Sequence, residues 1–545
     1  MNKKQRKRTV IISTGVVLML SLVSPASAEI KTEFDEFSLF GIDCAPLHDS
    51  NDPLKGSPRA IVEKAADYWN LLTKRKLDLK IRYGEFNVNA PYTGFSGQLE
   101  GKEMIAFNMY YDNLVYNNVD YSFSYKLPGQ ILHGSGIDFF SLTTHEIGHS
   151  MGIKLDRDDD RIYPKDGSKW GDLIRDTEGN GINGLWISAT PDPKGTENFT
   201  DKISRGVKYV FTGSAAAAVY GDVWMGGGKE AVNLPVEATY QFDKTNKDKL
   251  FYWGSSLVHP YTRFGNMNAM IESAKRPFFN EAELAVFRDL GQAVDIEGQF
   301  GHSVYTNGNT ITNSDAFKST NQYSIGLHIV GDHNVITQKG DLDAGGSAGA
   351  GIRIEGIDNK VLIPEETLVS ANGEEGYGVL ISHGDGAQLV NRGTIEAIGS
   401  KGVGVYLNSG TWSDDYWTVT NGKARQFDNT GSINAGTNDA IRLAGSNNDI
   451  TINFMNGSRV NGHITAETGS KALLTFGKKA YADGTASEAL DSDAVVSMNG
   501  NISGSSGITM NILSGKLTYT GTASIADAMV AAGAGLFGNA TYNLP

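Results

Sequence analysis

The stretch SLTTHEIGHSMGI, residues 141–153, decides the expected fold of the first half of this chain. It places His145 and His149 four residues apart, with Glu146 directly after the first. On a helix of about 3.6 residues per turn both imidazoles lie on one face and can bind one metal ion. Glu146 can then take a proton from a water on that ion as the water attacks a carbonyl carbon. The pattern predicts a zinc helix that hydrolyses peptide bonds, and the alternative is a chance match on an amphipathic helix.

Gly152 follows His149 by three residues, where this helix is expected to stop. Glycine tolerates the positive φ that a reversal of the chain needs, so the chain can return beneath the metal with a third ligand. Zinc peptidases usually have three protein ligands and one position open to water. The sequence therefore predicts a third ligand beyond the helix.

Length and composition indicate a folded protein of two or more domains. The 545 residues are 40% apolar and 10% aromatic, which is enough to bury sizeable cores. The net charge is −14, and no cluster of Lys and Arg follows residue 8. This composition excludes nucleic acid as a partner, because phosphate binding needs a basic surface.

The first 28 residues have the pattern of a secretory signal peptide. MNKKQRKR is basic, residues 10–23 are largely apolar, and SPASA ends in small residues, so we expect cleavage after Ala28. The alternative is a membrane anchor, but the apolar run is short for a spanning helix and is interrupted by polar residues. We therefore expect an exported chain without a stable membrane span after processing.

Cys44 is the single cysteine of the chain. An exported chain with one cysteine has no internal disulfide, so its stability must come from burial and backbone pairing. Two roles for Cys44 stay open: an inert thiol, and a temporary metal ligand that keeps the site silent before activation.

Composition shifts near residue 297, which predicts two different folds. Before it, residues 58–75 have helical spacing, while residues 78–86 and 103–111 alternate like strands. After it, Gly, Asn, Ser and Thr alternate with Val, Ile and Leu. We expect an α+β catalytic domain over residues 29–297, with an insertion at about 153–258, and an all-β domain over residues 298–545. Candidate N-caps of the metal helix are Ser141, Thr143 and Thr144.

A repeat in the second part predicts how that all-β domain is built. A small residue followed by apolar, variable and apolar residues recurs as GLHI, GIRI, GVLI, GVYL and AIRL, which begin at Gly326, Gly351, Gly378, Gly404 and Ala440. The steps between them are 25, 27, 26 and 36 residues. Short strands at this period favour a parallel β-helix, or solenoid, whose coils bury their apolar strands against one another. The step of 36 indicates a coil with a longer loop, and an antiparallel β-sandwich is the alternative.

The segment SSLVHPYTRFGNMNAMIESAKRPFFNEAELAVFRDLG, residues 255–291, resembles the leishmanolysin-like branch of the metzincins. In these zinc endopeptidases a long insertion separates the HExxHxxG helix from a late third His. A methionine eleven residues after that His forms a turn beneath the metal, and His259 and Met270 have this spacing, with Met267 as the second choice. In the compact metzincin pattern the third ligand stands ten residues after the first, where this chain has Leu155. Asp156, one residue later, is the alternative third ligand.

The resemblance covers about residues 58–292 and implies a metzincin-like catalytic domain that holds Zn²⁺. It implies His145, His149 and His259 as ligands, Glu146 as general base, Met270 in the Met-turn, and a protein or peptide substrate. The segments FTGSAAAAVYG and AVNLPVE resemble the part that precedes the late His in bacterial relatives. EMIAFNMYY, residues 103–111, is then either the edge strand along which an extended substrate pairs or an internal strand. The chain lacks the many cysteines of leishmanolysins, so features that depend on disulfides do not carry over.

The second part resembles the passenger solenoids of Gram-negative autotransporters, in its repeats and in phrases such as NGSRVNGHITAETGS. Such proteins end in an outer-membrane barrel, and no barrel pattern follows residue 470. We expect either a truncated chain or a translocator supplied from elsewhere. The resemblance implies a secreted or surface-displayed protein at a Gram-negative outer membrane.

Together these observations predict a secreted or surface-displayed zinc endopeptidase. An alternative from another class is an autotransporter-type adhesin in which the metal domain is secondary or inactive. A glycan-acting solenoid is a third alternative, but such enzymes need clustered carboxylates, and Asp341, Asp343 and Glu355 do not stand out as a cluster.

Overall fold

The computed structural model describes most of the chain after the expected signal peptide. The described residues are 30–39, 41–49, 56–73, 79–88, 94–99, 102–110, 115–116, 119–120, 123–125, 136–155, 157–158, 161–162, 169–182, 185, 187–188, 199–223, 230–243, 250–253, 257–263, 265–268, 278–409, 422–445 and 449–543. The expected signal peptide, Asp156 and Met270 lie outside them.

A six-stranded mixed sheet opens the described part. Its strands are β1 (Ile30–Glu33), β2 (Phe37–Leu39), β3 (Ile42–Pro46), β4 (Leu79–Phe86), β5 (Gly94–Leu99) and β6 (Lys102–Asn108). The order is β2-β3-β4-β6-β5, with β1 parallel to β4. Strand β6 lies between parallel β4 and antiparallel β5. The EMIAFNMYY segment is thus an internal strand, and β5 forms the edge of the sheet.

Two helices pack together beside this sheet, α1 (Pro58–Leu72) and α2 (Phe139–Ser150). Helix α1 begins at an N-cap, Ser57, whose side chain accepts a hydrogen bond from Ala60 N, and Pro58 occupies the first turn without loss of a bond. The buried Trp69 of α1 donates its Nε1 hydrogen to the Thr144 carbonyl of α2. This contact holds α2, the helix that carries the HExxH residues, against α1.

The N-cap of α2 is Asp138, so the prediction of Ser141, Thr143 or Thr144 as the cap was wrong. The Asp138 side chain accepts hydrogen bonds from Ser141 N and Ser141 Oγ. An aspartate at this position satisfies free amides of the first turn, so the helix starts earlier. The hydroxyls of Thr143 and Thr144 donate to carbonyls of Phe139 and Ser141 within the helix.

Further elements connect α2 to the second half of the chain. They are β7 (Val115–Tyr116), β8 (Val119–Asp120), β9 (Phe123–Ser124), β10 (Ile137–Asp138), β11 (Arg157–Asp158), β12 (Arg161–Ile162), α3 (Lys169–Asp172), β13 (Ile174–Asp176), β14 (Ile187–Ser188), β15 (Phe199–Phe211), α4 (Ser214–Tyr220), β16 (Leu234–Asp243), β17 (Leu250–Trp253), α5 (Glu281–Asp289) and α6 (Ile296–Gln299). Five of the strands form a second sheet in the order β13-β15-β16-β17-β14.

The second half is made of short strands. They are β18 (Phe300–Val304), β19 (Thr310–Asn313), β20 (Phe317–Ser319), β21 (Ile325–Ile329), β22 (Val335–Gln338), β23 (Leu342–Ala344), β24 (Ala350–Ile354), β25 (Lys360–Ile363), β26 (Leu368–Ser370), β27 (Tyr377–Ile381), β28 (Ala387–Asn391), β29 (Thr394–Glu396), β30 (Val403–Ser409), β31 (Ala424–Asn429), β32 (Ser432–Gly445), β33 (Asp449–Phe454), β34 (Arg459–Ala466), β35 (Lys471–Phe476), β36 (Lys478–Ala480), β37 (Ala486–Leu490), β38 (Val495–Asn499), β39 (Ile502–Ile512), β40 (Lys516–Val530), β41 (Gly535–Phe537) and β42 (Ala540–Asn543).

These strands form a solenoid with three strands per coil in its first coils. Strands β18, β19 and β20 pair in parallel with β21, β22 and β23, and the pattern continues along the chain. Pairing at Ile325, Ala350, Tyr377, Val403 and Asp439 gives successive steps of 25, 27, 26 and 36 residues. Parallel pairing at the period of the sequence repeat confirms the predicted β-helix and contradicts the antiparallel sandwich.

The small residue of each repeat has a steric cause. A Cβ on Gly326 would lie 2.6 Å from the carbonyl oxygen of Gly351, and one on Gly351 would lie 2.7 Å from that of Gly378. A Cβ on Gly378 would meet the Gly404 carbonyl oxygen at 2.6 Å. Real Cβ atoms do not approach backbone oxygens so closely, so at these three repeats the coils can stack because the position is glycine.

The first coil of the solenoid packs on the region that carries the metal helix. Its Tyr305 and Tyr323, and Ile325 at the start of the second coil, belong to the same apolar cluster as residues of α1 and α2. Asp222 accepts hydrogen bonds from the backbone of Tyr305 and Thr306. The boundary at residue 297 stays a prediction, since these contacts cross it. Within the described residues no helix is long and apolar enough to cross a membrane.

A buried polar network also crosses this contact. Glu281 at the start of α5 accepts from His328 Nδ1 and from Tyr305 Oη. His328 Nε2 lies 2.8 Å from Glu355, and the Arg353 guanidinium pairs with the same Glu355 carboxylate. The two carboxylates outweigh burial and raise the pKa of His328 to about 9. An ionised imidazole therefore joins α5 to the solenoid.

Candidate metal centre

Helix α2 presents His145 and His149 on one face, one turn apart. His145 Nδ1 lies 2.7 Å from the Asn266 carbonyl oxygen, and His149 Nδ1 lies 2.7 Å from the Ile153 carbonyl oxygen. A carbonyl oxygen can only accept, so each Nδ1 carries the proton and donates it. Both Nε2 atoms are therefore free of a proton when the rings are neutral, which is the form a metal needs.

His259 reaches the same point from a loop that pairs with β16. Glu237 N donates to the His259 carbonyl, Leu257 N donates to the Glu237 carbonyl, and Tyr261 N donates to the Pro235 carbonyl. Strand β16 contains most of the AVNLPVE segment that sequence analysis placed before the late His. This ladder holds the loop as an extra strand, so the imidazole of His259 comes to lie against α2.

The three imidazoles converge on one point. His145 Nε2 is 3.1 Å from His149 Nε2 and 3.3 Å from His259 Nε2. Nitrogens that share one tetrahedral zinc at about 2.0–2.1 Å lie roughly 3.3 Å apart, so the spacing fits a single ion. Among the described residues, these three form a group whose ligand atoms all lie within 4.8 Å of one another. The structure thus confirms a site that can bind a metal, and imidazole ligands suit Zn, Cu, Fe or Ni.

Burial keeps the helix histidines neutral. Desolvation, with a smaller effect of the neighbouring His149, lowers the pKa of His145 to about 3. Desolvation likewise lowers the pKa of His149 to about 4. Neutral imidazoles at ordinary pH leave lone pairs for a cation.

Glu146 directly follows His145 on α2 and is the candidate general base. It is buried, and its Oε2 has no hydrogen-bond partner among the described residues. Burial raises the pKa of Glu146 to about 8, against the lowering effect of a hydrogen bond from Ser96 on β5. Strand β5 passes close by, since a Cβ on Gly94 would lie 3.3 Å from Glu146 Oε1. The Glu146 carboxylate therefore lies close to strand β5.

A turn at residues 265–268 lies beneath α2. The buried Met267 packs against Gly148, where an added Cβ would lie 2.5 Å from the Met267 sulfur. Only glycine at this position of the HExxH helix leaves room for the thioether. Met267, the second choice for the Met-turn, lies below the metal helix, while Met270 falls outside the described residues. Asp156, the alternative third ligand, falls outside them as well.

The end of α2 is built as the sequence predicted. Gly152 has a φ of 129°, a conformation that L side chains rarely adopt. Gly152 N donates to the His149 carbonyl, and Gln292 Nε2 donates to the Met151 carbonyl. The chain can therefore reverse directly after the second ligand and place the Ile153 carbonyl on His149.

Sequence analysis missed Glu283, the main support of the turn. This buried residue of α5 accepts hydrogen bonds from Asn266 N and Met267 N. It also forms a capping box with Asn280, in which each side chain bonds the other's backbone amide. The pattern Asn-x-x-Glu before an apolar run was a readable signal for the cap, although not for the contact with the turn.

Asp289, in the Asp-Leu-Gly sequence that ends residues 255–291, has a structural role that sequence analysis did not predict. Asp289 Oδ1 and Oδ2 accept hydrogen bonds from Ala215 N and Ala216 N at the start of α4. A Cβ on Gly213 would lie 2.3 Å from Asp289 Oδ2. The FTGSAAAAVYG segment therefore contacts the end of α5 through these hydrogen bonds.

Cys44 lies away from the histidine group, in a small apolar cluster with Phe37, Phe86 and Met104. Burial raises the pKa of its thiol to about 11. A thiol with so little thiolate is a poor metal ligand and a poor nucleophile. These observations favour the inert thiol of the two roles considered.

Comparison with models of known protein families, with curated proteins and with solved structures finds no match to this chain. The resemblances to metzincins and to autotransporter passengers therefore rest on the sequence motifs alone.

Proposed function

We propose that this chain is a zinc-dependent endopeptidase of metzincin type. The observation that carries the proposal is the convergence of three Nε2 atoms, together with the buried Glu146, which directly follows His145 and whose Oε2 has no hydrogen-bond partner among the described residues. Further support comes from the late position of His259 and from Met267 beneath α2. An inert structural zinc site would have no need of a base such as Glu146.

In this mechanism His145, His149 and His259 hold zinc through Nε2. When bound, zinc polarises the carbonyl group of the scissile bond and lowers the pKa of a water molecule at the site. Glu146 accepts a proton from the attacking water at Oε2, which has no hydrogen-bond partner within the described part of the chain, and can then deliver it to the leaving amine nitrogen. Burial raises the pKa of Glu146 to about 8, and a cation bound by the three histidines would lower it, so that the carboxylate is ionised and can take this proton.

Strand β5 offers a place for the substrate backbone. It pairs with β6 on one side and forms the edge of its sheet on the other. An extended peptide can add to such an edge through main-chain hydrogen bonds, which leaves sequence selection to side-chain pockets. Because a Cβ on Gly94 of β5 would lie only 3.3 Å from Glu146 Oε1, a peptide on this edge would pass near the general base.

We also propose that the chain is exported and that the solenoid presents the peptidase outside the cell. The basic, apolar and small-residue segments of residues 1–28 support export. The long β-helix supports a passenger-like role.

The test compares the wild type with Glu146→Gln and with Glu63→Gln, an exposed glutamate of α1 that serves as control. We expect Glu146→Gln to retain zinc by elemental analysis but to cleave an unfolded protein substrate about 10²–10⁴ times more slowly. Wild type stripped with a chelator should lose cleavage and regain it on addition of zinc. Equal cleavage by wild type and Glu146→Gln would exclude this mechanism.

A further inference from the structure

One peptide group connects a buried carboxylate to a metal ligand. The group joins Asn266 to Met267: its carbonyl oxygen accepts from His145 Nδ1 at 2.7 Å. Its N–H, on Met267, donates to Glu283 Oε1 at 2.7 Å. Both ends of the same amide are thus engaged, one by the imidazole and one by Glu283.

We propose that Glu283 is a positioning residue for the metal ligand His145, which it orients and makes more basic through the Asn266–Met267 peptide group. The inference rests on the proposed function in that it takes the three histidines as the metal site. It adds a residue that lies on another helix and contacts neither the substrate nor the ion.

The surroundings of Glu283 suit a carboxylate held in one orientation. The side chain is fully buried, and its oxygens accept from Met267 N, Asn266 N, Asn280 N and Thr262 Oγ1 at 2.7, 3.1, 3.2 and 3.3 Å. Four donors around two oxygens leave the group little freedom to turn. A buried carboxylate costs free energy unless it accepts hydrogen bonds in this way. The backbone amides of the turn therefore stabilise Glu283, and Glu283 in return holds the turn in place.

The effect on His145 follows from the polarity of the amide. Burial raises the pKa of Glu283 to about 7, so above that pH its carboxylate is an anion. An anion at the N–H end increases the negative charge on the carbonyl oxygen and strengthens its bond to the Nδ1 hydrogen, by about 10–30% for bonds in a chain. A stronger bond at Nδ1 fixes the tautomer and makes Nε2 a better donor to a metal. Direct histidine–carboxylate pairs do the same at known zinc sites. Here one peptide group stands between the two residues.

His149 provides an internal comparison. Its Nδ1 also donates to a carbonyl at 2.7 Å, that of Ile153. The N–H of that peptide group belongs to Lys154 and donates to the neutral carbonyl of Gly152 at 2.9 Å. The two histidines of α2 therefore differ in the last acceptor of their hydrogen-bond series. It is a carboxylate for His145 and a neutral carbonyl oxygen for His149.

The experiment measures zinc affinity by competition with a chelator in the full-length wild type, Glu283→Gln and two controls. Glu281→Gln removes a carboxylate of equal burial two residues earlier in α5, and Thr262→Val removes one donor to Glu283 without changing the acceptor. We expect Glu283→Gln to weaken zinc binding about 10–100-fold, the usual effect of losing an outer partner of a ligand. Each control should stay within about threefold, and Glu283→Asp should regain part of the affinity.

A second measurement does not depend on how any variant folds. In the zinc-loaded wild type, the Nδ1 hydrogen of His145 should resonate further downfield in the NMR spectrum than that of His149, because its hydrogen bond is stronger. Equal shifts would overturn the inference. Wild-type affinity in Glu283→Gln, or an equal loss in Glu281→Gln, would overturn it too.

These outcomes differ from failure of the proposed function. If Glu283→Gln loses zinc affinity but the zinc-loaded wild type cleaves no peptide, the positioning role holds and the peptidase proposal fails. If zinc-dependent cleavage is found while Glu283→Gln binds zinc normally, the peptidase proposal holds and the positioning role of Glu283 fails.

Discussion

The metal centre and the solenoid are built from contacts of very different reach. His145 and His259 are 114 residues apart in the chain, and His145 and Asn266 are 121 apart. In the first solenoid coils, by contrast, each strand pairs with one about 25 residues away, and each coil meets mainly its neighbours. Repeat arrays of this kind gain stability from local interfaces, whereas the metal centre needs several distant segments in place at once. A destabilising substitution should therefore affect the whole region around the metal centre, whereas in the solenoid its effect should be confined to neighbouring coils.

The largest effect is expected from His259→Ala. Loss of the ligand that closes the site should reduce zinc from about one per chain to near zero and abolish cleavage, because two imidazoles alone hold the ion weakly. Elemental analysis after dialysis measures the zinc. Asp156→Ala serves as the control and should keep both properties. If Asp156→Ala instead loses zinc while His259→Ala retains it, the assignment of the third ligand is wrong.

Gly351→Val tests the solenoid side of the comparison. The new side chain would overlap the Gly378 carbonyl oxygen and Val369, so we expect unfolding by denaturant to show a loss of about 1–3 kcal/mol. Gly345→Ala is the matched control, since its nearest atoms lie at 3.3 Å and 3.5 Å. Zinc affinity should not change in either variant. A large fall in zinc affinity with Gly351→Val would show that the two regions are not independent.

Asp332→Asn tests the contact between the regions. Asp332 in the first coils pairs with Arg263, four residues after His259, through both guanidinium nitrogens. Because the pair is partly exposed, we expect a loss of about 1–2 kcal/mol in the free energy of unfolding. Lys318→Met, which breaks an exposed pair with Asp343, should cost less than 1 kcal/mol. Equal losses in the two variants would mean that the contact contributes no more than a surface ion pair.

The pH dependence of this contact is carried by His328. The folded pKa of His328 is raised to about 9, so the stabilisation from its proton is complete below about 6.5 and is lost as pH rises through about 9. The groups facing it are Glu281, Glu355 and Tyr305, while Arg353 and His383 act on Glu355. Arg353 and His328 lower the pKa of Glu355, which adds stability that is lost only in acid. The melting temperature should therefore fall between pH 6.5 and 9 in wild type and fall less in His328→Gln. An equal fall in both would assign the change to other groups.

The sequence predicted the parts of each region that depend on local spacing. The HExxH spacing placed two ligands on one helical face, and the small-apolar-variable-apolar repeat gave the coil steps. The N-cap of α2 was assigned wrongly because three hydroxyl residues follow Asp138, and propensity alone does not choose among adjacent caps. The edge strand of the sheet also needed the structure, because only the pairing of β5 and β6 shows which of the two lies at the edge of the described sheet.

Sequence alone determined the metal helix, the reversal at Gly152 and the solenoid period. Each depends on the spacing or the backbone conformation of residues that are close together in the chain. Tertiary structure alone brought His259 against α2, placed Met267 under Gly148 and joined Glu283 to His145 through one peptide group. The physical reason is that ordering a long loop costs nearly the same entropy for many arrangements. The choice among them is made by the packing of the whole domain, in which every buried donor and acceptor must find a partner.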